Sequence, residues 1–187
     1  MNENLQELFS TPIWGFMLHD HAYQAHDYIQ AIFDIREHRP TAEKSNMGGY
    51  QTHEDLHQMP VFREFVELLQ NIGSRCASSK LDQTVRVTVT EMWGNINTPN
   101  SSNAAHTHGG DLSGVVWLKV PQHSGRLVLI NPAVRSDSRL FRSPNYPITP
   151  QRMGCIIWPS WLEHYVEINR STEERVSISF NMTVNPR

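Results

Sequence analysis

The second half of the chain alternates apolar and polar residues with the period of β-strands, and this pattern most constrains its fold. In "TVRVTVTEMWG" the residues Val85, Val87 and Val89 share one face, which is typical of a half-buried strand. Further short apolar runs follow, each bounded by Pro, Gly or Asn: "LSGVVWLKV", "GRLVLINP", "GCIIWPSWL", "HYVEIN" and "RVSISFNMTV". Short strands at close spacing predict an antiparallel sandwich or barrel rather than alternating β–α units.

The first 83 residues follow a different pattern. "DHAYQAHDYIQAIFDIREH" and "MPVFREFVELLQNIGSRCA" carry apolar residues at helical spacing. We expect the first helix to end before Pro40 and the second to stop at Gly73. The glycine-rich "EKSNMGGYQTHEDLH" between them predicts a loop. The expected organisation is one domain, 1–187, in which a helical and loop elaboration (1–83) precedes a β core (84–187).

Composition excludes several classes of protein. The net charge of −3 over 187 residues lacks the basic footprint of a duplex nucleic-acid binder. No run approaches the roughly 18 apolar residues of a membrane span, and the N-terminus has no signal-peptide pattern. The two cysteines, Cys76 and Cys155, form no CxxC motif, which is compatible with a reducing compartment. We therefore expect a cytoplasmic protein that binds neither nucleic acid nor membrane.

"HTHGGDLSGVVWL" places two histidines two positions apart in front of a predicted strand. Residues i and i+2 of a strand share a face, so His106 and His108 can reach one metal ion. Asp111 could add a carboxylate, and His164, at the start of "HYVEIN", is a further candidate ligand. The preceding "TPNSSNAA" predicts a loop. The ordinary alternative is that these histidines lie at the surface or bind backbone carbonyls.

Arg175 and Ser177 lie two positions apart on the last predicted strand. A guanidinium beside a hydroxyl is suited to binding a carboxylate. Arg175 follows His164 by eleven residues, and the intervening "NRSTEE" predicts the turn of an antiparallel hairpin. Such a hairpin would place the arginine deeper than the histidine, on the ligand side of a metal.

These residues together resemble a known superfamily. A His-x-(Asp, Glu or His) pair, a distal His and a following Arg-x-Ser are similar to the Fe(II)- and 2-oxoglutarate-dependent oxygenases. More narrowly, the chain resembles the putative 2OG-Fe(II) oxygenase family of marine bacteria and their phages. The segments that carry this resemblance occur in order over nearly the whole chain: "LFSTPIW", "KSNMGGYQT", "WGNIN", "HTHGGDLSGVVWLKVP", "LVLINP", "GCIIWPSWLEHYVEIN" and "ERVSISFN".

The resemblance implies a mainly β fold with N-terminal helices, a double-stranded β-helix of the jelly-roll or cupin-like barrel type. It also implies a site that uses Fe(II), 2-oxoglutarate and O2. His106, His108 and His164 would be the metal ligands. His108 stands where the wider superfamily usually has Asp or Glu, so the third ligand is His108, Asp111 or water. Arg175, assisted by Ser177, would bind the distal carboxylate of 2-oxoglutarate.

The implied activity is a dioxygenase that hydroxylates a C–H bond of a protein, peptide or small-molecule substrate and releases succinate and CO2. Tyr50 and His53, in the glycine-rich segment, are the predicted substrate contacts. In the proline-punctuated loop 132–150, the side chains of Arg135, Arg139 and Arg142 would offer positive charge to an acidic or peptide substrate.

Two alternatives stay open on the sequence alone. A cupin-type metalloenzyme would use the three histidines without a keto-acid cosubstrate, and it would have no need of Arg175 and Ser177. A non-enzymatic β-sandwich interaction module would carry the same histidines for structural reasons and would not depend on a metal.

Overall fold

The computed structural model describes residues 10–132 and 145–185. Within these ranges it contains two α-helices and eleven β-strands. The helices are α1 (Ala25–His38) and α2 (Arg63–Leu81). The strands are β1 (Trp14–Met17), β2 (Asn46–Met47), β3 (Tyr50–Gln51), β4 (Val87–Asn97), β5 (Ser102–His106), β6 (Leu112–Lys119), β7 (Leu127–Leu129), β8 (Tyr146–Ile148), β9 (Gly154–Pro159), β10 (His164–Val166) and β11 (Arg175–Val184).

The strands form two antiparallel sheets. The large sheet has the order β1-β9-β6-β11-β4-β3, and the small sheet has the order β2-β5-β10-β7-β8. This confirms the predicted mainly β architecture with N-terminal helices. Among the described residues, however, no ladder of hydrogen bonds joins the two sheets. The barrel implied by the sequence is therefore open rather than closed.

The two helices cover the outer face of the large sheet. Tyr28 and Ile32 of α1, with Phe65 of α2, belong to the same apolar cluster as Ile178 and Phe180 of β11. Each fully buried side chain of this size contributes roughly 1.5–3 kcal/mol through burial. No helix in the described ranges combines the length and apolar character needed to cross a bilayer.

The predicted stop of the second helix at Gly73 is wrong. Helix α2 continues to Leu81. The residue that caps it, Asp82, has a φ of 52°, which is in the left-handed region that ends helices. A Cβ atom at Gly73 would overlap Sδ of Met182 and lie 2.9 Å from Cγ2 of Val87. The glycine therefore serves close packing of the helix on the sheet.

Two segments predicted as loops contain strands. The glycine-rich segment forms β2 and β3, which pair with β5 and β4. Part of "TPNSSNAA" belongs to β5, so His106 ends a strand instead of opening one. The N-terminal part also supplies β1, which pairs with β9. The single domain and its division at residue 83 stay predictions.

Strand β11 separates the two faces of the large sheet residue by residue. Val176, Ile178 and Phe180 belong to the core beneath the helices. The alternate residues Arg175 and Ser177 line a cavity on the opposite face, towards the small sheet. This alternation places the predicted site between the two sheets.

Strand β4 contains a bulge that changes which residues face the helices. β11 pairs Asn181 with Glu91 but Met182 with Val89, so Thr90 is the extra residue. Val89 before the bulge and Met92 after it both lie in the helix-side core. A strict alternation continued past Val89 would have assigned the following side chains to the wrong faces.

Candidate metal centre and anion pocket

Three histidines converge between the sheets. His106 is the last residue of β5 and lies directly opposite His164, the first residue of β10. His108 follows two residues beyond β5. One ring nitrogen of each histidine lies within 4.8 Å of the other two, which is close enough for the group to hold a metal ion. The ring centroids are 4.4 Å (His106–His164), 4.7 Å (His106–His108) and 5.0 Å (His108–His164) apart.

Backbone carbonyls orient two of the rings. Nδ1 of His106 lies 2.7 Å from the carbonyl oxygen of Ala104, and Nδ1 of His164 lies 3.0 Å from that of Leu162. An Nδ1–H that donates to a carbonyl leaves the Nε2 lone pair available to a metal.

Burial keeps these imidazoles neutral. It lowers the pKa of His108 to about 3 and that of His164 to about 4, and it also lowers the pKa of His106. A metal ligand must be deprotonated, so the environment of the three rings already favours the ligating form.

The alternative ligand Asp111 lies elsewhere. Its side chain is exposed, and its Oδ2 accepts a hydrogen bond of 2.7 Å from the backbone amide of Val184. Within the part of the chain that the structure describes, no carboxylate joins the histidine cluster.

Arg175 is a buried cation that forms no ion pair with any described residue. It is 2% exposed, and its guanidinium donates to the carbonyls of Ser124 (3.2 Å) and Gly125 (3.0 Å) and to Oδ1 of Asn97 (2.6 Å). Its Nε has no hydrogen-bond partner, and no ion pair of the described residues includes it. Burial lowers the pKa of Arg175 to about 10, so the group stays charged at neutral pH. A buried charge of this kind calls for a counter-ion.

An inner cavity of about 40 Å³, between the two sheets, joins the histidines to the arginine. Nε1 of Trp158 is buried in its wall without a partner, and that ring lies against His164 with centroids 4.9 Å apart. The buried hydroxyl of Ser177 makes no hydrogen bond within the described residues. The cavity therefore offers several unused donors to an anionic ligand. Trp158 was not among the predicted site residues, because a tryptophan in an apolar strand is normally part of the hydrophobic core.

An outer cavity of about 500 Å³ opens on the other side of the histidines. His106 and His108 line it, together with Lys44, Ser45, Gln51, Glu54, Glu91, Trp93, Ala104, Ala105, Thr107, Gly109 and Asn181. The inner and outer cavities share the two histidines, so the metal centre would lie between an enclosed pocket and a more open one.

The predicted substrate contacts Tyr50 and His53 line neither cavity. Tyr50 is buried, and its hydroxyl donates to the carbonyl of Arg39 at 3.1 Å, while His53 is exposed. Their neighbours Gln51 and Glu54 face the outer cavity instead. Neighbouring residues of an extended chain point to opposite sides, so the same segment presents Gln51 to the outer cavity and Tyr50 to the core. That Tyr50 and His53 contact the substrate stays a prediction.

The arginines of the loop 132–150 (Arg135, Arg139 and Arg142) lie outside the described residues. The positive charge that the sequence analysis expected from them therefore stays a prediction.

Comparison with known proteins agrees with this geometry. The family model "Putative 2OG-Fe(II) oxygenase" matches residues 91–181, a segment that contains all three histidines, Arg175 and Ser177. No curated protein matches the sequence significantly.

Several solved structures have a similar fold. A prolyl-4-hydroxylase from Pseudomonas putida superposes with a TM-score of 0.67 at 14% identity, over 95% of this chain and 94% of that one. A viral collagen prolyl hydroxylase from Paramecium Bursaria Chlorella virus-1 gives 0.63 at 15% identity, over 91% and 94%. The α-ketoglutarate-dependent epimerase of nogalamycin biosynthesis gives 0.69 at 13% identity, over 91% and 76%.

At such low identities these likenesses concern the fold, and they confirm the predicted double-stranded β-helix. The family description names Fe(II) and 2-oxoglutarate, which confirms the cofactors that the sequence resemblance implied. Residues 91–181, with the histidine cluster and the buried arginine, therefore match the model of the putative 2OG-Fe(II) oxygenase family.

Proposed function

We propose that the protein is an Fe(II)- and 2-oxoglutarate-dependent dioxygenase that hydroxylates a C–H bond of its substrate. One observation carries this proposal: three neutral imidazoles and an unpaired buried guanidinium share the inner cavity. Nitrogen ligands suit Fe(II), and the arginine suits one end of a dicarboxylate. The residues present thus fit both groups.

His106, His108 and His164 would hold the iron. Because Asp111 is bound to the Val184 amide, we propose an all-histidine set in which His108 replaces the usual carboxylate. Three neutral ligands leave the double positive charge of the ion uncompensated. The carboxylate beside the keto group of 2-oxoglutarate would offset part of this charge, while the distal carboxylate would pair with Arg175. We therefore expect bound Fe(II) to increase the affinity for 2-oxoglutarate, and bound 2-oxoglutarate to increase the affinity for Fe(II).

Arg175 and Ser177 would bind the distal carboxylate of 2-oxoglutarate. Bound Fe(II) and 2-oxoglutarate supply the oxidising chemistry, in which 2-oxoglutarate and O2 yield succinate and CO2 while a substrate C–H bond is oxidised. The protein orients the imidazoles through Ala104 and Leu162. The buried rings of Trp93, Trp117 and Trp158 exclude water.

The substrate would be a protein or peptide side chain, or a small molecule. Two of the similar structures are prolyl hydroxylases and another is an epimerase, so the neighbours include both kinds of substrate and more than one outcome. A cytoplasmic location is part of this proposal, and the free, buried thiols of Cys76 and Cys155 support it.

The test is an anaerobic titration of the metal-free protein with Fe(II) and then with 2-oxoglutarate, followed by visible absorption. We expect the charge-transfer band of a chelated keto acid, and we expect Arg175→Ala to weaken it strongly. Arg86→Ala is the matched control, because Arg86 is exposed and should leave the band unchanged. Absence of the band in the parent protein would refute the proposal.

The cupin-type enzyme without a keto acid is the second candidate, since an all-histidine set also suits that class. It predicts metal binding without the absorption band and no effect of Arg175→Ala. A β-sandwich module with structural histidines predicts no metal at all in protein purified without an affinity tag. The family match and the unpaired arginine favour the first proposal over both.

A further inference from the structure

A row of cross-strand pairs runs along the cavity face of the large sheet. β11 and β4 pair Arg175 with Asn97, Ser177 with Asn95, Ser179 with Trp93 and Asn181 with Glu91. Six residues separate the ends of the row, so Arg175 and Glu91 lie roughly 20 Å apart along the strands. The proposed cosubstrate anchor and Glu91 therefore occupy opposite ends of the site.

The histidine cluster lies between these two ends. The ring of Trp93 packs against His108 with centroids 5.3 Å apart. Glu91 precedes Trp93 by two residues in β4. It therefore lies roughly 7 Å from Trp93 along the strand, on the side away from Arg175. Glu91 also lines the outer cavity together with His106 and His108. Its carboxylate is thus placed on the side from which a substrate would approach the metal.

Buried partners fix the carboxylate of Glu91. Nδ2 of Asn181 donates to Oε2 of Glu91 at 2.6 Å, and Oδ1 of Asn181 accepts from Oγ of Ser113 at 2.8 Å. Asn181 is 2% exposed. Among the described residues no Lys or Arg forms an ion pair with Glu91. The negative charge is therefore held in place, and no Lys or Arg in the described ranges neutralises it.

Gln51 adds an unused hydrogen-bonding group to the same cavity. It is 3% exposed and lines the outer cavity. Its side-chain amide makes no hydrogen bond within the part of the chain that the structure describes. The amide is therefore available to hydrogen-bond a ligand that enters this cavity. Lys44, the one cationic residue of the described lining, is paired with Glu54 at 3.2 Å.

We propose that the outer cavity binds a substrate group bearing a protonated amine or guanidinium. The cation would pair with Glu91, and a neighbouring amide of the substrate would bind Gln51. This inference rests on the proposed function, whose substrate class it specifies. A cationic substrate would be the opposite of the acidic substrate that the arginines of the loop 132–150 would favour.

The experiment measures binding of model side chains by calorimetry to the anaerobic protein loaded with Fe(II) and 2-oxoglutarate. The probes are the Nα-acetyl methylamides of lysine, arginine, norleucine and glutamic acid. We expect the lysine or the arginine probe to bind about tenfold more tightly than the uncharged norleucine probe. Added salt should reduce this preference. Equal binding of all probes, binding of none, or a preference for the glutamic acid probe would overturn the inference.

Variants then assign the preference to a residue. Glu91→Gln should remove most of the tenfold preference, while Glu37→Gln, which removes the same charge from an exposed site on α1, should retain it. A preference that survives Glu91→Gln would overturn the role of Glu91. If Glu91→Gln does not fold, the probe comparison and its salt dependence in the parent protein still decide the substrate class.

The 2-oxoglutarate band, recorded before any probe is added, separates the two proposals. If the band is absent, the proposed function fails whatever the probes do. If the band forms but the probes bind without a charge preference, only the inference about the substrate fails.

Discussion

The two faces of the large sheet are built from the same strands but differ in almost every property. The helix side of β11 carries apolar residues packed in one cluster. The cavity side carries Arg175, Ser177, Ser179 and Asn181. On this side Nε of Arg175 and Nε1 of Trp158 have no hydrogen-bond partner among the described residues. The helix-side face stabilises the fold, and the cavity-side face presents polar groups that can bind a ligand. Changes on the two faces should therefore affect different measurements.

The largest expected effect is on the helix side. Phe180→Ala should lower the free energy of unfolding by about 3–5 kcal/mol, because it leaves a void in a fully packed cluster. Ser179→Ala, one residue away on the cavity face, is the matched control and should cost less than about 1 kcal/mol. Urea unfolding followed by circular dichroism measures both. Similar losses for the two variants would contradict the division of roles between the faces.

On the cavity side the expected effect appears only with ligand. At a hundredfold excess over its Kd, 2-oxoglutarate should stabilise the metal-loaded protein by about 2.7 kcal/mol. Arg175→Ala should lose most of this increment, while Arg86→Ala should keep it. Thermal unfolding under anaerobic conditions, with and without 2-oxoglutarate, gives the comparison. An unchanged increment in Arg175→Ala would place the cosubstrate elsewhere.

Gly73→Ala sharpens the comparison on the helix side. Alanine normally favours a helix interior over glycine by about 1 kcal/mol, but here the added methyl group would collide with Met182. We expect a net destabilisation of about 1–3 kcal/mol from overpacking. Ser79→Ala in the same helix serves as the control. A gain of stability in Gly73→Ala would mean that the helix and sheet can separate without cost.

The smallest effect concerns Asp111. Asp111→Asn should cost about 1 kcal/mol through the weakened bond to the Val184 amide and should leave the bound iron per chain as in the parent protein. His108→Ala should lose most of the iron under the same conditions. Elemental analysis after equilibration with Fe(II) measures both variants. Loss of iron in Asp111→Asn would reassign the third ligand.

The positions of the main strands were the most predictable part of the molecule, because the alternation of apolar and polar residues in a strand is visible in the sequence. "RVSISFNMTV" coincides with β11, and the pair Arg175 and Ser177 shares a face as expected. The convergence of His106, His108 and His164 was also predicted, although it followed from the family resemblance as much as from the residues.

The remaining details depend on contacts that the sequence does not display. Gly73 resembles a helix stop unless the sheet beneath it is known. The sequence does not show that Gln51, rather than Tyr50, lines the outer cavity, because the facing of a two-residue strand is set by its partner. Glu91 was missed because extending the valine alternation across Thr90 assigns it to the core.

The bulge at Thr90 also determines how this protein tolerates changes in chain length. Substitutions alter one side chain at a time, but a one-residue deletion at this point would restore regular pairing between β4 and β11. Val87 and Val89 would stay under the helices, and Glu91 and Trp93 would stay on the cavity face, because the pairs on both sides of Thr90 are already in register with β11. Relatives that lack the extra residue should therefore keep the same side chains of this strand in the core and in the outer cavity.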